Sequence, residues 1–135
     1  MNYNFADAWI LNSIYFSEEE NDGARLVNII GHADYTNHAI IEFGELNDSL
    51  KKLLQDDLII ALKDGNLKST KAYNIWIKKK IENKSRIQVF KLIEDTQVFL
   101  AKLKRTSSEK SLNQNQIISK LEYEYALKEY LKKVV

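Results

Sequence analysis

Apolar residues recur at helical spacing in the middle of the chain. Between residues 43 and 57 they fall on a single stripe of a helix: Phe43, Leu46, Leu50, Leu53 and Leu54. The run Leu58–Leu62 follows at once and is rich in branched side chains, as is typical of a β-strand. Asp64 and Gly65 supply the positive backbone dihedrals of a tight hairpin turn, and Leu67–Thr70 can pair back. The pattern therefore predicts a helix followed by a β-hairpin.

Two further helices are predicted before this stretch. The first, Asn4–Phe16, is apolar around most of its circumference and is therefore expected to be largely buried. The polar, glycine-ended segment Ser17–Gly23 is expected to be a connector. The second helix runs from Arg25 to about Asp34, and Ala39–Ile41 then forms a short extended piece that leads into the third helix.

Three helices are predicted after the hairpin. One begins near Lys71, and its last turns carry a lysine cluster. The next, Arg86 to about Lys104, is preceded by the capping-box pattern Ser85–Gln88. A polar linker separates it from the last helix, Gln114–Lys133, whose apolar surface is broader than one seam.

Helix, strand, Asp-Gly turn and strand, placed after two earlier helices, are the core of a winged helix-turn-helix domain. The predicted fold class is therefore α+β and mostly helical: a winged helix, with a three-helix core and a β-hairpin wing, plus a C-terminal helical extension. We assign residues 1–82 to the winged-helix domain and residues 83–135 to the extension. The extension is expected to pack on the domain or to form a dimer, so that the chain is one compact unit.

A resemblance to a family supports this fold. Three segments carry it: Asp34–Ile41, Phe43–Leu46 and Leu53–Ile59. They resemble a small, uncharacterised bacterial winged-helix family, in which Asn-His-Ala and a hydrophobic residue lead into the third helix and Leu-Leu-x-x-Gly-Leu-Ile leads out of it. Ile41 stands where proline is expected and Asp57 replaces the glycine, although aspartate can adopt the left-handed conformation. The resemblance covers roughly residues 5 to 80 and implies a fold without an established activity.

The composition is that of an ordinary globular protein. The 135 residues are 44% hydrophobic and 29% charged, which fits one domain with a substantial core. The chain has no cysteine, so disulfides, thiolate nucleophiles and cysteine-based metal sites are excluded. The sequence contains neither a membrane-length apolar run nor a signal-peptide pattern. We therefore expect a soluble, cytoplasmic protein with no membrane partner.

Charge is distributed unevenly along the chain. Residues 1–67 hold twelve acidic and four basic side chains, whereas residues 68–135 hold seven acidic and sixteen basic side chains. Such asymmetry indicates either an anion-binding half or two halves that attract each other within a monomer or a dimer. The second interpretation is the simpler one.

Candidate chemistry is confined to three residues, His32, Asp34 and His38. Two histidines and a carboxylate meet the ligand count of a zinc site, but the histidines are six positions apart and do not share one helical face. We expect instead that His38 is buried and, with Asn37, stabilises the turn. The sequence has no phosphate-binding loop and no supported catalytic triad. The chain is therefore predicted to be non-enzymatic, without cofactor or metal.

The fold predicts a DNA-binding protein of the transcription-regulator type, with double-stranded DNA as the partner. The residues expected to contact DNA are Lys51, Lys52, Gln55, Lys63, Asn66, Lys68 and Lys71. Opposite the apolar stripe of the third helix, however, Glu45 and Asp48 accompany Lys52 and Gln55. Carboxylates on that face oppose an approach to phosphates, whereas the lysines of the hairpin favour it.

The alternative is a protein-interaction or dimerisation module that binds no DNA. The last helix carries Tyr123, Tyr125 and Tyr130, and tyrosine suits interfaces because it is large, stiff and polar at one end. These side chains would form a homodimer through the C-terminal helices or complete the core of their own chain.

Overall fold

The computed structural model describes residues 3–82, 88–103 and 117–134. Within these ranges the fold is α+β and mostly helical, with six helices and a small four-stranded antiparallel sheet. The helices are α1 (Phe5–Ser17), α2 (Leu26–Asn37), α3 (Phe43–Gln55), α4 (Lys71–Glu82), α5 (Val89–Lys102) and α6 (Lys120–Val134). The strands are β1 (Glu18–Glu19), β2 (Gly23–Ala24), β3 (Ile59–Ala61) and β4 (Leu67–Ser69).

Helix α1 is the centre of the core. It begins with a capping box, in which the Asn4 side chain accepts from Asp7 N and the Asp7 carboxylate accepts from Asn4 N. Residues all around the helix are buried, among them Ile10, Leu11 and Ile14, because α2, α3 and α5 pack against it. The predicted buried first helix is confirmed.

The first strands were predicted in the wrong place. The predicted polar connector contains β1 and β2, whereas Ala39–Ile41 forms no strand. Helix α2 also continues past Asp34 to Asn37, and His38 ends it in the left-handed conformation, with φ 52°. Strands of two residues are too short to show an alternating pattern in the sequence.

The sheet has the strand order β1-β2-β4-β3, and each neighbouring pair is antiparallel. Ala24 pairs with Leu67, which also faces Ala61. The hairpin is confirmed, but its turn differs from the prediction. Only Gly65 has a positive φ, of 86°, whereas the prediction gave Asp64 a positive φ as well. Leu62 N donates to Asn66 O at 2.8 Å, which closes a loop of three residues instead of two.

Helix α3 has the predicted apolar stripe. Leu46, Leu50 and Leu53 are fully buried, and Phe43 and Leu54 pack at the edge of the core. The helix ends in a Schellman motif, in which Leu58 N donates to Leu53 O at 2.9 Å and Asp57 N donates to Leu54 O at 3.2 Å. Asp57 has φ 56°, so this aspartate does adopt the left-handed conformation.

The C-terminal helices pack on the N-terminal ones: α5 contacts α1 and α6 contacts α2. Helix α4 begins at Lys71 as predicted, and α5 begins at Val89. The predicted capping box at Ser85 and the predicted helix start at Gln114 lie outside the described residues. No helix in the described ranges is both long enough and apolar enough to span a membrane.

Helix α6 begins at Lys120 because Ser119 caps it. Glu122 N donates to Ser119 Oγ and Ser119 N donates to the Glu122 carboxylate, each at 3.0 Å. The predicted inclusion of Ile117 and Ile118 in the helix is therefore wrong. Both residues precede the cap, and Ile118 is buried against the core.

Candidate interaction surfaces

The structure moves Lys52 from the predicted outer face of α3 into the interior. Its ammonium nitrogen lies 2.6 Å from Asp7 Oδ2, and both residues are buried. The long flexible stem of lysine lets its charge reach a partner that helical projection does not show. The predicted position of Lys52 on the outer face of α3 is therefore wrong.

The remaining outer surface of α3 carries the two carboxylates that were predicted there. Glu45 and Asp48 are exposed, whereas Lys51 and Gln55 are only partly exposed. The chain's own C-terminal segment also covers one flank of this helix. The side-chain oxygen of Asn47 accepts from Ile117 N at 2.7 Å.

The C-terminal part of the chain also covers the N-terminal end of α3. The ring of Phe43 lies 5.8 Å from that of Tyr123, measured between centroids. Tyr123 donates from its hydroxyl to the carbonyl oxygen of Ile41 at 2.5 Å. The end of α3 that a DNA-reading helix would direct at base edges is therefore already packed against α6.

The four residues in and just after the hairpin that were predicted to contact DNA have different environments. Lys63 is exposed in the turn and Lys71 is exposed at the start of α4. The Asn66 side-chain amide donates to Asp22 O at 2.8 Å, so it joins the hairpin to the β1–β2 turn. Lys68 is partly buried in β4.

Lys68 and Lys71 come together at a groove of about 530 Å³ between the hairpin and α4. We call this the hairpin groove, and its lining is Ile60, Lys68, Ser69, Thr70, Lys71, Asn74, Ile75 and Lys78. The third lysine, Lys78, was not among the predicted contacts. Ile60 and Ile75 are exposed there, so the groove combines positive charge with apolar surface.

One carboxylate lies beside the hairpin groove. Glu18 accepts from Ser69 N at 2.8 Å and from the Ser69 hydroxyl. Burial raises the pKa of Glu18, while the hydrogen bonds of Ser69 and the charges of Lys68 and Lys78 act in the opposite direction. Glu18 thus balances part of the positive charge of the hairpin groove.

The three candidate residues for zinc or catalysis have separate roles. His32 Nδ1 lies 3.2 Å from Ser13 Oγ, and its ring stacks on Phe16. Asp34 accepts from the Tyr130 hydroxyl at 2.5 Å. His38 is exposed, so its predicted burial is wrong. Within the described ranges, no group of three or more histidine, aspartate or glutamate side chains is placed to hold a metal ion.

Helix α6 exposes apolar side chains to solvent. Leu121, Tyr125 and Leu131 are 61%, 68% and 43% exposed. With three neighbours they line a shallow groove of about 350 Å³. We call this set the α6 face, and it consists of Leu121, Glu124, Tyr125, Leu127, Lys128 and Leu131.

The three tyrosines of α6 are divided between the two sides of the helix. Tyr123 and Tyr130 pack on their own chain, and the hydrogen bond to Asp34 is the main cause of the raised pKa of Tyr130. Tyr125 alone belongs to the α6 face. The sequence carries a signal for this division. Leu121, Glu124, Lys128 and Leu131 have a/d spacing, which marks one side of the helix, and Tyr123 and Tyr130 lie away from that side.

Comparisons of the chain with protein-family models, with curated proteins and with solved structures find no match.

Proposed function

We propose that this chain is a non-enzymatic protein of the winged-helix type that binds another protein through the α6 face. The order of its elements supports the winged-helix part of the proposal. Strand β2 lies between α1 and α2 in the chain and pairs with β4, while β4 pairs with β3, which follows α3. Three helices, a hairpin and a third strand at its edge are the parts that this fold requires.

The surroundings of α3 favour protein binding over DNA reading. A helix in the major groove presents cationic and amide side chains between two phosphate backbones. In α3 the ammonium group of Lys52 neutralises Asp7 and the amide oxygen of Asn47 bonds to Ile117. The side chains left outside include Glu45 and Asp48, which phosphates would repel.

The observation that carries the proposal is the exposure of the α6 face. Leu121 and Tyr125 are each more than half exposed on a helix whose opposite side is held by Tyr123 and Tyr130. Contiguous exposed apolar side chains on a well-anchored element mark interaction sites, and tyrosine is enriched at the centre of such sites.

Site-specific photo-cross-linking tests this proposal. A photoreactive phenylalanine analogue replaces Tyr125 in the full chain, and a matched chain carries it at Ile75 in the hairpin groove, which is also exposed. Irradiation is expected to give a covalent product with a protein from position 125, but not from position 75. The same product should disappear when Leu121→Asp is added, since a charge there removes the apolar contact. Products from neither position, or only from position 75, would contradict the proposal.

DNA binding is the second candidate, and the hairpin groove favours it. Lys68, Lys71 and Lys78 line that groove, and Lys63 is exposed in the turn of the same hairpin. Such a cluster can contact phosphates without α3 reading any base. The affinity for random duplex DNA would then fall steeply between low and moderate salt.

A charge-reversal experiment separates the two candidates. Lys63→Glu with Lys71→Glu changes two exposed lysines near the hairpin groove, and Lys102→Glu with Lys120→Glu makes the same change in net charge elsewhere. If the second candidate holds, only the first pair abolishes binding to duplex DNA. Absence of salt-sensitive binding by the unchanged protein excludes it.

A further inference from the structure

We infer that the partner of the α6 face is a second copy of this chain, and that the two α6 helices lie antiparallel. The inference rests on the proposed function, since it names the protein that the α6 face binds. It places a two-fold axis at the level of Ala126. The argument depends on the order of apolar and charged residues along α6.

The six residues of the α6 face form three pairs that are symmetric about position 126. The pairs are Leu121 with Leu131, Glu124 with Lys128, and Tyr125 with Leu127. In an antiparallel two-fold contact, each residue lies level with the residue equally far on the other side of the axis. Leu121 then meets Leu131 and Glu124 meets Lys128 across the seam, whereas Tyr125 and Leu127 flank the seam on opposite sides, each beside the same residue of the second copy. Every apolar member then faces an apolar residue of the second copy, and every charged member faces the opposite charge.

The same residues have coiled-coil spacing. Leu121, Glu124, Lys128 and Leu131 are separated by three, four and three positions, which is the a/d pattern of one seam. Leucine occupies both ends of the seam, and two symmetry-related Glu124–Lys128 pairs occupy its middle. A charged centre between apolar ends sets the register and the orientation at some cost in affinity.

A parallel arrangement lacks this complementarity. It would place Glu124 against Glu124 and Lys128 against Lys128, and like charges in contact oppose association. Within the described part of the chain, neither Glu124 nor Lys128 forms an ion pair, whereas their neighbour Glu129 pairs with Arg25 at 3.3 Å. The two charges of the α6 face therefore remain available to a second copy.

Charge reversal tests the pairing. Glu124→Lys alone and Lys128→Glu alone each create like-charge contacts, so the dimer mass measured by light scattering should require at least about a tenfold higher concentration. The double variant restores opposite charges and should return to within about threefold of the unchanged protein. An equimolar mixture of the two single variants should form a heterodimer. Glu94→Lys, an exposed reversal on α5, is the matched control and should have no effect.

Cysteine cross-linking tests the orientation, and the chain offers no background because it has no cysteine. Leu121→Cys mixed with Leu131→Cys should give a disulfide between the two variants under mild oxidation, and neither variant alone should do so. A disulfide formed by Leu121→Cys with itself would indicate parallel helices and overturn the inference.

A purified protein that stays monomeric at every concentration would also overturn the inference. The proposed function would still stand if the photo-cross-link at position 125 joined a different protein. The two failures are therefore distinguishable.

Discussion

The ammonium group of Lys52 lies 2.6 Å from the carboxylate of Asp7, and both side chains are buried where α3 packs on α1. The same carboxylate accepts from Asn4 N at 2.8 Å and so also caps α1. One aspartate thereby determines where the first helix begins and orients the third helix against it. A cation that the sequence suggested for DNA contact instead belongs to the core.

Replacing Lys52 by methionine is expected to destabilise the protein by about 3–5 kcal/mol, because it leaves the Asp7 carboxylate buried without its counter-charge. Lys51→Met is the matched control, since Lys51 is the adjacent, partly exposed lysine of the same helix. That change should alter the free energy of unfolding by less than about 0.5 kcal/mol. Urea unfolding followed by circular dichroism measures both values. Equal midpoints for the two variants would show that the buried pair contributes nothing.

Gly23 and Gly44 should respond in opposite directions to replacement by alanine. Gly23 has φ 68°, and a Cβ there would lie 2.8 Å from Leu62 Cδ1 and 2.9 Å from Leu67 O. Because Leu67 O belongs to the paired strand β4, we expect a loss of about 1–3 kcal/mol. A Cβ at Gly44 meets nothing within 4 Å, and alanine there should stabilise α3 by about 0.5–1 kcal/mol.

Thermal unfolding of these two alanine variants provides the comparison. The Gly23 variant should melt below the unchanged protein, and the Gly44 variant above it. A Gly23 variant as stable as the unchanged protein would contradict the close approach of β2 to β4.

His32 should make the protein less stable in acid. Burial lowers its pKa from the usual 6.5, so the unfolded chain binds a proton more readily than the folded one. This contribution to stability is complete above about pH 6.5 and is lost as the pH falls through the folded pKa. His32→Gln should therefore lose less stability than the unchanged protein on acidification below pH 6.5.

Urea unfolding at a series of pH values measures this difference. The comparison with the unchanged protein is necessary because Glu18, with a raised pKa, acts in the opposite direction. His38→Gln is the matched control, since it removes an exposed histidine. Identical pH profiles for His32→Gln and the unchanged protein would exclude this role for His32.

Ser119→Ala should fray the start of α6, because it removes the hydroxyl that accepts from Glu122 N at 3.0 Å. We expect a cost of about 0.5–2 kcal/mol, and faster amide exchange in the first turn of α6. Ser119→Asp should retain most of the stability, since aspartate caps equally well. If the alanine and aspartate variants exchanged at the same rate, the cap would be unimportant.

Local sequence pattern was enough to predict the elements whose structure depends on residues close together in the chain. The stripe of α3, the hairpin after it and the start of α4 were predicted, since each depends on spacing within a few residues. The left-handed conformation of Asp57 was also anticipated, because the end of a helix imposes it locally. In contrast, β1 and β2 were missed, since strands of two residues exist only through their pairing with β4.

The candidate surfaces were predicted less well than the fold. Lys68 and Lys71 do lie together, because neighbouring residues at the end of a hairpin cannot be far apart. Lys78 joins them only because α4 packs beside the hairpin. Tyr125 was grouped with Tyr123 and Tyr130, although only the packing of α6 on α2 shows which of them is exposed.

The sequence alone determined the approximate positions of the helices, the position of the hairpin and the residues of the core stripe of α3, since periodicity and turn chemistry are local properties. Only the tertiary structure decided the roles of the charged and aromatic side chains. Lys52 became a core residue because Asp7, 45 positions away in the sequence, lies within reach of its stem. The α6 face is exposed because the opposite side of that helix, which carries Tyr123 and Tyr130, packs on the rest of the chain. The position and the contacts of a long side chain depend on the groups that the fold brings near it, and the spacing of residues along the chain does not encode these groups.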